Sequence, residues 1–442
     1  MKRLLLPLLM GCAIAGQVRA AEPDNRVLTL DEALRLARAN HPQLHASHAQ
    51  TEASTARVAE AKAPLLPQVN GSASYQRSRP NSPSIATGTA TATSTSTSNS
   101  AASNGFSVPS YSARITASEL IYDFGQTTGK WNAAKATLQS QEENERNFGV
   151  QVAFNLRSAY FTAAAARALL KVAEETLKNQ EAHLRQIQGF VEAGTRPEID
   201  LAQARTDRAN AKVQLINAQV AYDTDKALLN QAMGIERGTE YEVADPSADV
   251  VPGEDDGTDS ILPVALKARP DLLQLARQIE AQELITKSIK GGYAPSLGVS
   301  TSLTDGGPDL GNLAWGWSAG LFLNWQIFGG GITDAQLREA RANTAVLRAQ
   351  YDLQRQQVRA DVEQARLGVR AAKAAIEATH EAAVNARVRL NLAEGRYQAG
   401  VGNVIELGDS QVALTAAAGQ EIQAIFNLAT ARSRLLQALG QP

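Results

Sequence analysis

The chain has 442 residues, a formal net charge of −2 and no stretch rich in lysine or arginine, so it lacks the basic signature of a nucleic-acid-binding protein. Its low aromatic content, 5%, favours long, closely packed helices over a globular core built from large side chains. The sole cysteine, Cys12, excludes an internal disulfide and a cysteine-based metal site.

The N-terminus has the pattern of an export signal. Lys2-Arg3 precedes an apolar run from Leu4 to Ala15, and small residues favour cleavage near Ala20. Alternatively, the chain is a lipoprotein cut and acylated at Cys12, because the residues before this cysteine resemble a bacterial lipoprotein site. Residues 1–20 are predicted to be a signal segment, and both alternatives place the mature chain outside the cytoplasm.

The first element predicted after the signal is a helix. It begins with a capping box at residues 29–32 and should run to about Ala63, where Pro64 and Pro67 stop it. Residues 68–76 then alternate apolar with polar side chains, which indicates a strand with one apolar face. Residues 77–109 are rich in serine, threonine and alanine and are predicted to be an exposed, mobile loop.

A second strand is predicted over residues 111–124, with a change of phase near Glu119 that indicates a β-bulge. A helix of roughly 100 Å should follow over residues 126–190. Gly194 ends this helix because glycine readily takes the positive φ of a helix terminus. A helix of roughly 55 Å is then predicted over residues 197–233, so that the two form a hairpin with its tip at Gly194.

The second half of the chain repeats the first. Ala193-Gly194 aligns with Ala399-Gly400 without a gap, so that each half carries one hairpin tip. Residues 21–234 are predicted to form the first structural repeat and residues 261–442 the second, joined by an acidic connector at 235–260.

The second repeat contains strands at residues 297–303 and 315–325 and two further helices that end at Gln398 and Leu439. The helix lengths indicate how the helices of the two repeats pack together. The helix at 197–233 and the one at 262–290 together span roughly 100 Å, as long as the helix that precedes them. Stacked end to end with the connector at their junction, they should line that long helix.

Four strands with one apolar face suit a membrane barrel, but four cannot close one, since known barrels need at least about eight. Three copies would supply twelve strands around a channel. After the signal, no run reaches the ~18 apolar residues of a spanning helix. The predicted fold is therefore an α+β membrane protein, with long coiled α-helical hairpins forming a tunnel and four β-strands per chain contributing to a shared trimeric β-barrel. Aromatic residues near the strand ends are the predicted girdle: Trp315, Trp317, Trp325, Tyr122 and Phe124.

Over essentially the whole mature chain, the order and duplication of these motifs resemble the TolC-like family of bacterial outer-membrane efflux proteins. The motifs are prolines between helix and strand, glycines at strand exits and glycines at hairpin tips: Leu66-Pro67, Ala294-Pro295, 122–125, 327–329, 191–194 and 396–400. The resemblance implies a homotrimeric duct that passively conducts substrates, with its barrel among outer-membrane lipids and its tunnel in the periplasm. It also implies a periplasmic adaptor (membrane fusion protein) and an inner-membrane transporter, in an efflux or type I secretion system.

The resemblance also implies roles for residues at the two tips. Glu406 and Asp409 match the acids that narrow the periplasmic entrance and favour cations, and Asp200 is the corresponding acid after the first tip. The alternative for Glu406 is a capping box with Asn403. The basic residue often found two positions after the second tip glycine is here Gly402, while Arg196 stands at the equivalent place in the first repeat.

The tip residues themselves match the family's adaptor-docking positions, where a missing side chain lets a partner's backbone approach closely. These positions are Ala193, Gly194, Thr195, Ala399, Gly400 and Val401. The alternative is that the glycines serve only as helix C-caps, and both roles can hold together. Drugs, metal ions and secreted polypeptides are all compatible with such a duct.

Other function classes are less consistent with the sequence. His41, His45 and His48 share one helical face, but a solvated or trimer-contact face is a simpler interpretation than a metal site. No nucleophile elbow, phosphate loop or other catalytic constellation is recognisable, so neither an enzyme nor a cofactor is expected. A trimeric surface adhesin or stalk protein is the alternative function, although its strands should lie together at the C-terminus. A periplasmic adaptor should carry soluble β-domains around a single hairpin.

Overall fold

A computed structural model describes residues 26–78, 108–236, 241–245 and 250–442. The predicted signal segment, Cys12 and most of the loop predicted over residues 77–109 lie outside these ranges. The helices are α1 (Leu30–Asn40), α2 (Pro42–Lys62), α3 (Gln126–Glu192), α4 (Glu198–Met233), α5 (Thr258–Ala268), α6 (Pro270–Gly291), α7 (Ile332–Gln398) and α8 (Val404–Ala438). The strands are β1 (Arg26–Leu28), β2 (Gln68–Ser78), β3 (Val108–Tyr122), β4 (Tyr241–Val243), β5 (Ser296–Gly307) and β6 (Ala314–Asn324).

Four strands form one antiparallel sheet in the order β2-β3-β5-β6. The pairing places most of the apolar side chains on one face, where Ile115 lies opposite Leu303 and Leu303 opposite Trp317. Serine and threonine side chains line the other face, and the Oγ atoms of Ser302 and Ser318 lie 2.9 Å apart. The predicted bulge is confirmed, because the register of β3 against β5 shifts between Leu120 and Tyr122.

One aromatic residue departs from this alternation. Phe322 lies on the polar face, opposite Gly298 of β5. A Cβ at Gly298 would stand 2.3 Å from the tip of the Phe322 ring, so the ring lies flat against the strand only because residue 298 is glycine. In the described part of the chain, no helix combines the length and apolarity needed to cross a bilayer.

The long helices α3 and α7 have 67 residues each, which makes them about 100 Å long. The sequence prediction of one continuous helix from Thr29 to about Ala63 is wrong, because the chain breaks at His41, whose ψ of 119° is extended. Arg269 breaks the second repeat in the same way, also with ψ of 119°. Both residues precede a proline, Pro42 or Pro270, whose ring disfavours the helical conformation of the residue before it.

The predicted end-to-end stacking of α4 on the helix after the connector is also wrong. The last turn of α4 abuts the break between α1 and α2 instead: a Cβ at Gly234 would lie 2.8 Å from the Cα of His41. The last turn of α8 meets the break between α5 and α6 equivalently, with 2.9 Å between a Cβ at Gly440 and the Cα of Arg269. Helices α2 and α6 have 21 and 22 residues, so length alone could not distinguish the two stackings.

The connector contains structure that the sequence did not reveal. Its strand β4 pairs in parallel with β1, and α5 already begins at Thr258. The Tyr160 hydroxyl of α3 donates hydrogen bonds to the carbonyls of Leu28 (3.0 Å) and Ala244 (3.2 Å), which fastens this small sheet to the long helix. Further along the connector, buried Glu254 forms ion pairs with Arg432 (2.8 Å) and Lys373 (2.7 Å).

Candidate functional site

Both hairpin tips form through the same backbone geometry. Gly194 and Gly400 have φ of 73° and 78°, in the left-handed region that glycine favours. The N–H of Thr195 donates to the Phe190 carbonyl (2.9 Å), and that of Val401 donates to the Arg396 carbonyl (3.0 Å). These bonds span five residues and satisfy the last carbonyls of α3 and α7, so each tip is a helix C-cap of the Schellman type.

The residues predicted for adaptor docking lie together at each tip and are exposed: Ala193, Gly194, Thr195, Ala399, Gly400 and Val401. No heavy atom lies within 4 Å of the position that a Cβ would take at Gly194 or Gly400, so the space in front of both glycines is open. Val401 is 71% exposed, and two further apolar side chains near the tips, Ile199 (73%) and Ile405 (63%), are also exposed. Such apolar exposure at a tip is typical of a contact surface.

Tyr397 joins the two hairpins of the chain. Its ring is 2% exposed and packs with Ile187 of α3, Ala204 of α4 and Leu407 of α8. The guanidinium of Arg196 lies 4.4 Å from the ring centroid, and its Nη2 donates a 2.9 Å hydrogen bond to the Tyr397 carbonyl. Arg196, the basic residue two positions after the first tip glycine, therefore contacts the second tip, where Gly402 holds the equivalent position.

Asp200, the first predicted gate acid, is buried beside this tyrosine. Burial raises the pKa of the Tyr397 hydroxyl, and the negative charge of Asp200 raises it further, whereas Arg196 acts in the opposite direction. The hydroxyl makes no hydrogen bond of normal geometry within the described residues. Asp200 thus belongs to the packed interior of the tip.

The other two predicted gate acids lie in the first two turns of α8. Asn403 caps this helix by accepting a 3.2 Å hydrogen bond from the Ile405 N–H. Glu406 does not complete a capping box but forms a 2.8 Å ion pair with Arg396 of α7. Asp409 is exposed and has no ion-pair partner among the described residues. The three acids are therefore not equivalent: one is buried, one is paired and one is free.

Sequence reasoning missed three residues that organise the tips. Tyr397 and Arg396 belong to a motif that was recognised, but no role was inferred for either side chain. The His183 ring lies 5.7 Å from the Tyr397 ring in an edge-on arrangement, and burial lowers the pKa of His183 while Asp207 opposes the shift. The sequence signal for this cluster was Tyr397, an aromatic residue three positions before the tip glycine Gly400.

The predicted girdle residues lie at both ends of the sheet. Trp315 and Trp317 are 72% and 71% exposed near the start of β6. Tyr122 and Phe124 lie at the opposite end, with ring centroids 4.8 Å apart. Trp325 follows the last residue of β6 and donates a 3.1 Å hydrogen bond to the Tyr293 carbonyl. Phe328, three residues after Trp325 and 87% exposed, was not predicted for this group.

The three histidines of the first helices have separate roles. His41 accepts a 3.3 Å hydrogen bond from the Gln43 N–H and caps α2, His45 contacts the Ala39 carbonyl, and His48 contacts Glu145. Within the described ranges, no group of three or more His, Cys, Asp or Glu side chains is arranged to hold a metal ion.

The family of this chain follows from a sequence profile. The profile described as "Outer membrane efflux protein" matches residues 33–235 and 261–441. The chain belongs to this family.

Relatives of the chain share nearly its whole length. The outer membrane efflux protein BepC of Brucella suis is 25% identical over 443 residues, which cover 98% of this chain and 89% of BepC. The outer membrane protein TolC of Escherichia coli is 24% identical over 461 residues, which cover 99% of this chain and 86% of TolC. A crystal structure of CusC superposes with a TM-score of 0.79 at 19% identity, over 93% of this chain and 92% of that of CusC, which shows a shared fold.

The family gives the chain its location and general role. It is an outer-membrane efflux channel whose helices form the periplasmic tunnel and whose four-stranded sheet contributes to the shared barrel. Family members form trimers and work with efflux pump partners. They are passive channels rather than enzymes, and none of these relatives supports the alternative of a surface adhesin.

Proposed function

We propose that three copies of this chain form the exit duct of a tripartite efflux or type I secretion system. A periplasmic adaptor docks on the hairpin tips and connects the duct to an inner-membrane transporter. The observation that carries this proposal is the pair of exposed glycine tips with open space in front of them and apolar side chains around them. A partner backbone can approach both tips closely because no side chain stands in the way.

We further propose that the duct arose from two repeats, residues 21–234 and 261–442, joined by the connector at 235–260. Each repeat supplies one docking tip, at Ala193-Gly194-Thr195 and Ala399-Gly400-Val401. Both tips have the same C-cap geometry, so an adaptor has two similar docking positions in every chain. Three chains would present six.

In this proposal the entrance gate has two acids that face the mouth and one acid that is buried. Glu406 and Asp409 face the narrow mouth, where three copies concentrate negative potential and favour cations. Asp200 supports the gate from inside the tip through Tyr397, since it is too buried to act as a ring charge. The aromatic residues at the two ends of the sheet anchor the barrel at the two membrane interfaces.

In-cell photo-crosslinking tests the docking proposal directly. A photoreactive amino acid replaces Val401, and the trapped partner is identified by mass spectrometry. The matched control carries the probe at Val213, which is 55% exposed on α4 away from the tip. We expect an adaptor to be captured from Val401 and not from Val213. Capture from Val401 of only other outer-membrane or surface proteins would contradict the proposal and favour the adhesin alternative.

The identity of the captured adaptor also distinguishes the two kinds of assembly. An adaptor encoded with a drug or metal efflux pump places this chain in an efflux system. An adaptor encoded with a protein exporter places it in a type I secretion system. A variant with Val401→Glu should lose the crosslink from a second probe at Thr195 if one adaptor covers both tips, because an added carboxylate cannot be buried cheaply.

A further inference from the structure

A group of cations surrounds the helices just below the barrel. Lys62 of α2, Lys135 of α3, Lys287 and Lys290 of α6 and Arg341 of α7 form what we call the basic collar. None of these five side chains makes an ion pair with a residue in the described ranges. Three acids lie near them on α6 and α7. Glu283 pairs with Arg348 (2.7 Å) and Asp334 with Arg338 (3.2 Å), whereas Glu339 lines a polar cleft on the other side of α7.

The inner side of the wall is marked by a polar cleft of about 690 Å³ under the sheet. Asn324, from the polar face of β6, lines this cleft together with Gln126, Gln282, Ile285 and Gln336 of the helices. The polar face of the sheet faces the lumen, because the apolar face meets lipid. The helix residues that line the cleft therefore point inwards.

The side chains of the collar point outwards, away from the lumen. Each collar residue of α3, α6 and α7 lies five positions after a cleft residue, a rotation of about 140° around a helix. The pairs are Lys130 and Lys135, Gln282 and Lys287, Ile285 and Lys290, and Gln336 and Arg341. This regularity places the four cations on the outer surface of the tunnel wall.

Lys62 joins them through Trp131. The Nζ of Lys135 lies 3.3 Å from the centroid of the Trp131 ring and that of Lys62 lies 5.7 Å away, so one indole contacts ammonium groups from two neighbouring helices. Two like charges near one ring, neither of them in an ion pair with a described residue, create a region of positive potential that favours an anion.

The collar begins at the helix ends that adjoin the barrel, where lipid headgroups meet the protein. Lys290 lies one residue before the end of α6, and Lys135 and Arg341 each lie nine residues after the start of their helix, about 14 Å from the barrel rim. Tyr122, Phe124, Trp325 and Phe328 lie between the collar and the apolar sheet face. Apolar face, aromatic residues and cations thus follow one another in the order expected across a membrane interface.

We propose that the basic collar binds the phosphate groups of anionic phospholipids in the periplasmic leaflet of the outer membrane. Charge complementarity and continuity with the lipid-facing sheet select this partner. The collar carries five cations per chain that form no ion pair with a described residue, and phosphatidylglycerol presents a net negative headgroup at the membrane interface. The proposal uses the family's trimeric barrel and is independent of adaptor docking and of the gate.

Native mass spectrometry of the purified trimer tests this inference. The trimer is equilibrated with equal amounts of phosphatidylglycerol and zwitterionic phosphatidylethanolamine, and the bound lipids are counted. We expect the wild type to prefer phosphatidylglycerol and the preference to weaken as salt is raised, because exposed charges are screened. The triple variant Lys62→Gln, Lys135→Gln, Lys290→Gln should bind phosphatidylglycerol more weakly, by about fivefold for each lysine removed.

Two controls separate collar binding from other effects. Lys171→Gln, Lys178→Gln, Lys212→Gln removes the same charge from exposed positions on the hairpin helices and should leave the preference unchanged. The variant with Lys62→Arg, Lys135→Arg, Lys290→Arg keeps the positive charge and should also keep the preference for phosphatidylglycerol. This second variant tests the proposal even if the glutamine variant assembles poorly. Equal binding of both lipids by the wild type, or equal losses in collar and hairpin variants, would overturn the proposal.

Discussion

Arg196 of the first hairpin tip stacks on Tyr397 of the second, with 4.4 Å between its guanidinium carbon and the ring centroid. The same guanidinium donates a hydrogen bond to the Tyr397 carbonyl. This contact joins residues that are 201 positions apart and holds the two hairpins of one chain together at the periplasmic end.

Arg196→Ala should loosen the tips and enlarge the tunnel mouth. The variant loses a cation–π contact and a hydrogen bond, each worth about 1 kcal/mol. We expect a higher single-channel conductance for trimers in planar bilayers. Arg196→Lys should give an intermediate value, since lysine lacks the planar stacking surface. Arg185→Ala, an exposed residue of α3, is the control, and equal conductance in all variants would contradict a role of Arg196 in closure.

Asp409→Asn should reduce cation selectivity more than Glu406→Gln does. Asp409 is exposed and unpaired within the described chain, whereas the charge of Glu406 is already balanced by Arg396 at 2.8 Å. The reversal potential in a potassium chloride gradient measures this difference. Arg396→Gln should act in the opposite sense and increase selectivity for cations. A larger effect of Glu406→Gln than of Asp409→Asn would show that Arg396 does not neutralise Glu406 in the assembled mouth.

Glu254→Gln should destabilise the trimer at neutral pH but not in strong acid. Burial alone raises the pKa of Glu254, but hydrogen bonds from Arg432, Lys373 and the Val251 N–H outweigh it and lower the pKa to about 2, from an ordinary value of 4.5. A lowered folded-state pKa stabilises the fold fully above about pH 4.5 and loses this effect as the pH falls towards 2.

The difference in thermal unfolding between wild type and Glu254→Gln should therefore be largest above pH 4.5, on the order of 3 kcal/mol, and shrink as the solution is acidified. Unfolding temperatures measured from neutral pH down to about pH 2.5 test this. Glu381→Gln serves as a control on an exposed part of α7. A difference that stays constant across the range would mean that Glu254 is not charged in the folded protein.

Tyr160→Phe should release the small sheet of β1 and β4 from α3. The substitution keeps the buried ring but removes the donor for the Leu28 and Ala244 carbonyls, at a cost of about 1–3 kcal/mol. Hydrogen exchange should become faster at residues 26–28 and 241–245. Tyr351→Phe alters a partly buried tyrosine of α7 and should leave exchange in these segments unchanged. Unchanged exchange in Tyr160→Phe would show that other contacts, such as the 2.6 Å hydrogen bond from Arg167 to the Val243 carbonyl, are sufficient to hold the sheet.

Local patterns predicted the elements well. The bulge near Glu119 and the tips at Gly194 and Gly400 are properties of a few neighbouring residues, and alternation or glycine placement reports them directly. The break at His41 was also readable, because Pro42 follows it, but the apolar pattern continues across the break and hid it. Strands β1 and β4 have three residues each, too few to show any alternation.

Contacts between distant residues could not be predicted in this way. The position of Arg196 in the first tip was noted, but its contact with Tyr397 depends on how two hairpins lie side by side. The gate acids illustrate the same point. Asp200, Glu406 and Asp409 look alike in sequence, and only the packing of four helices makes one of them buried, one paired and one free.

Gly234 lies against His41, and Gly440 lies against Arg269. The last helix of each half therefore ends against the first helices of the same half. Each half therefore completes its own stack of shorter helices, while β3 of the first half and β5 of the second join the halves in one sheet. Six identical half-length chains could occupy the same places in the wall. A single covalent chain makes the two halves alternate around the trimeric tunnel. The two hairpins can therefore carry different residues, so that the first supplies Arg196 and the second supplies Tyr397.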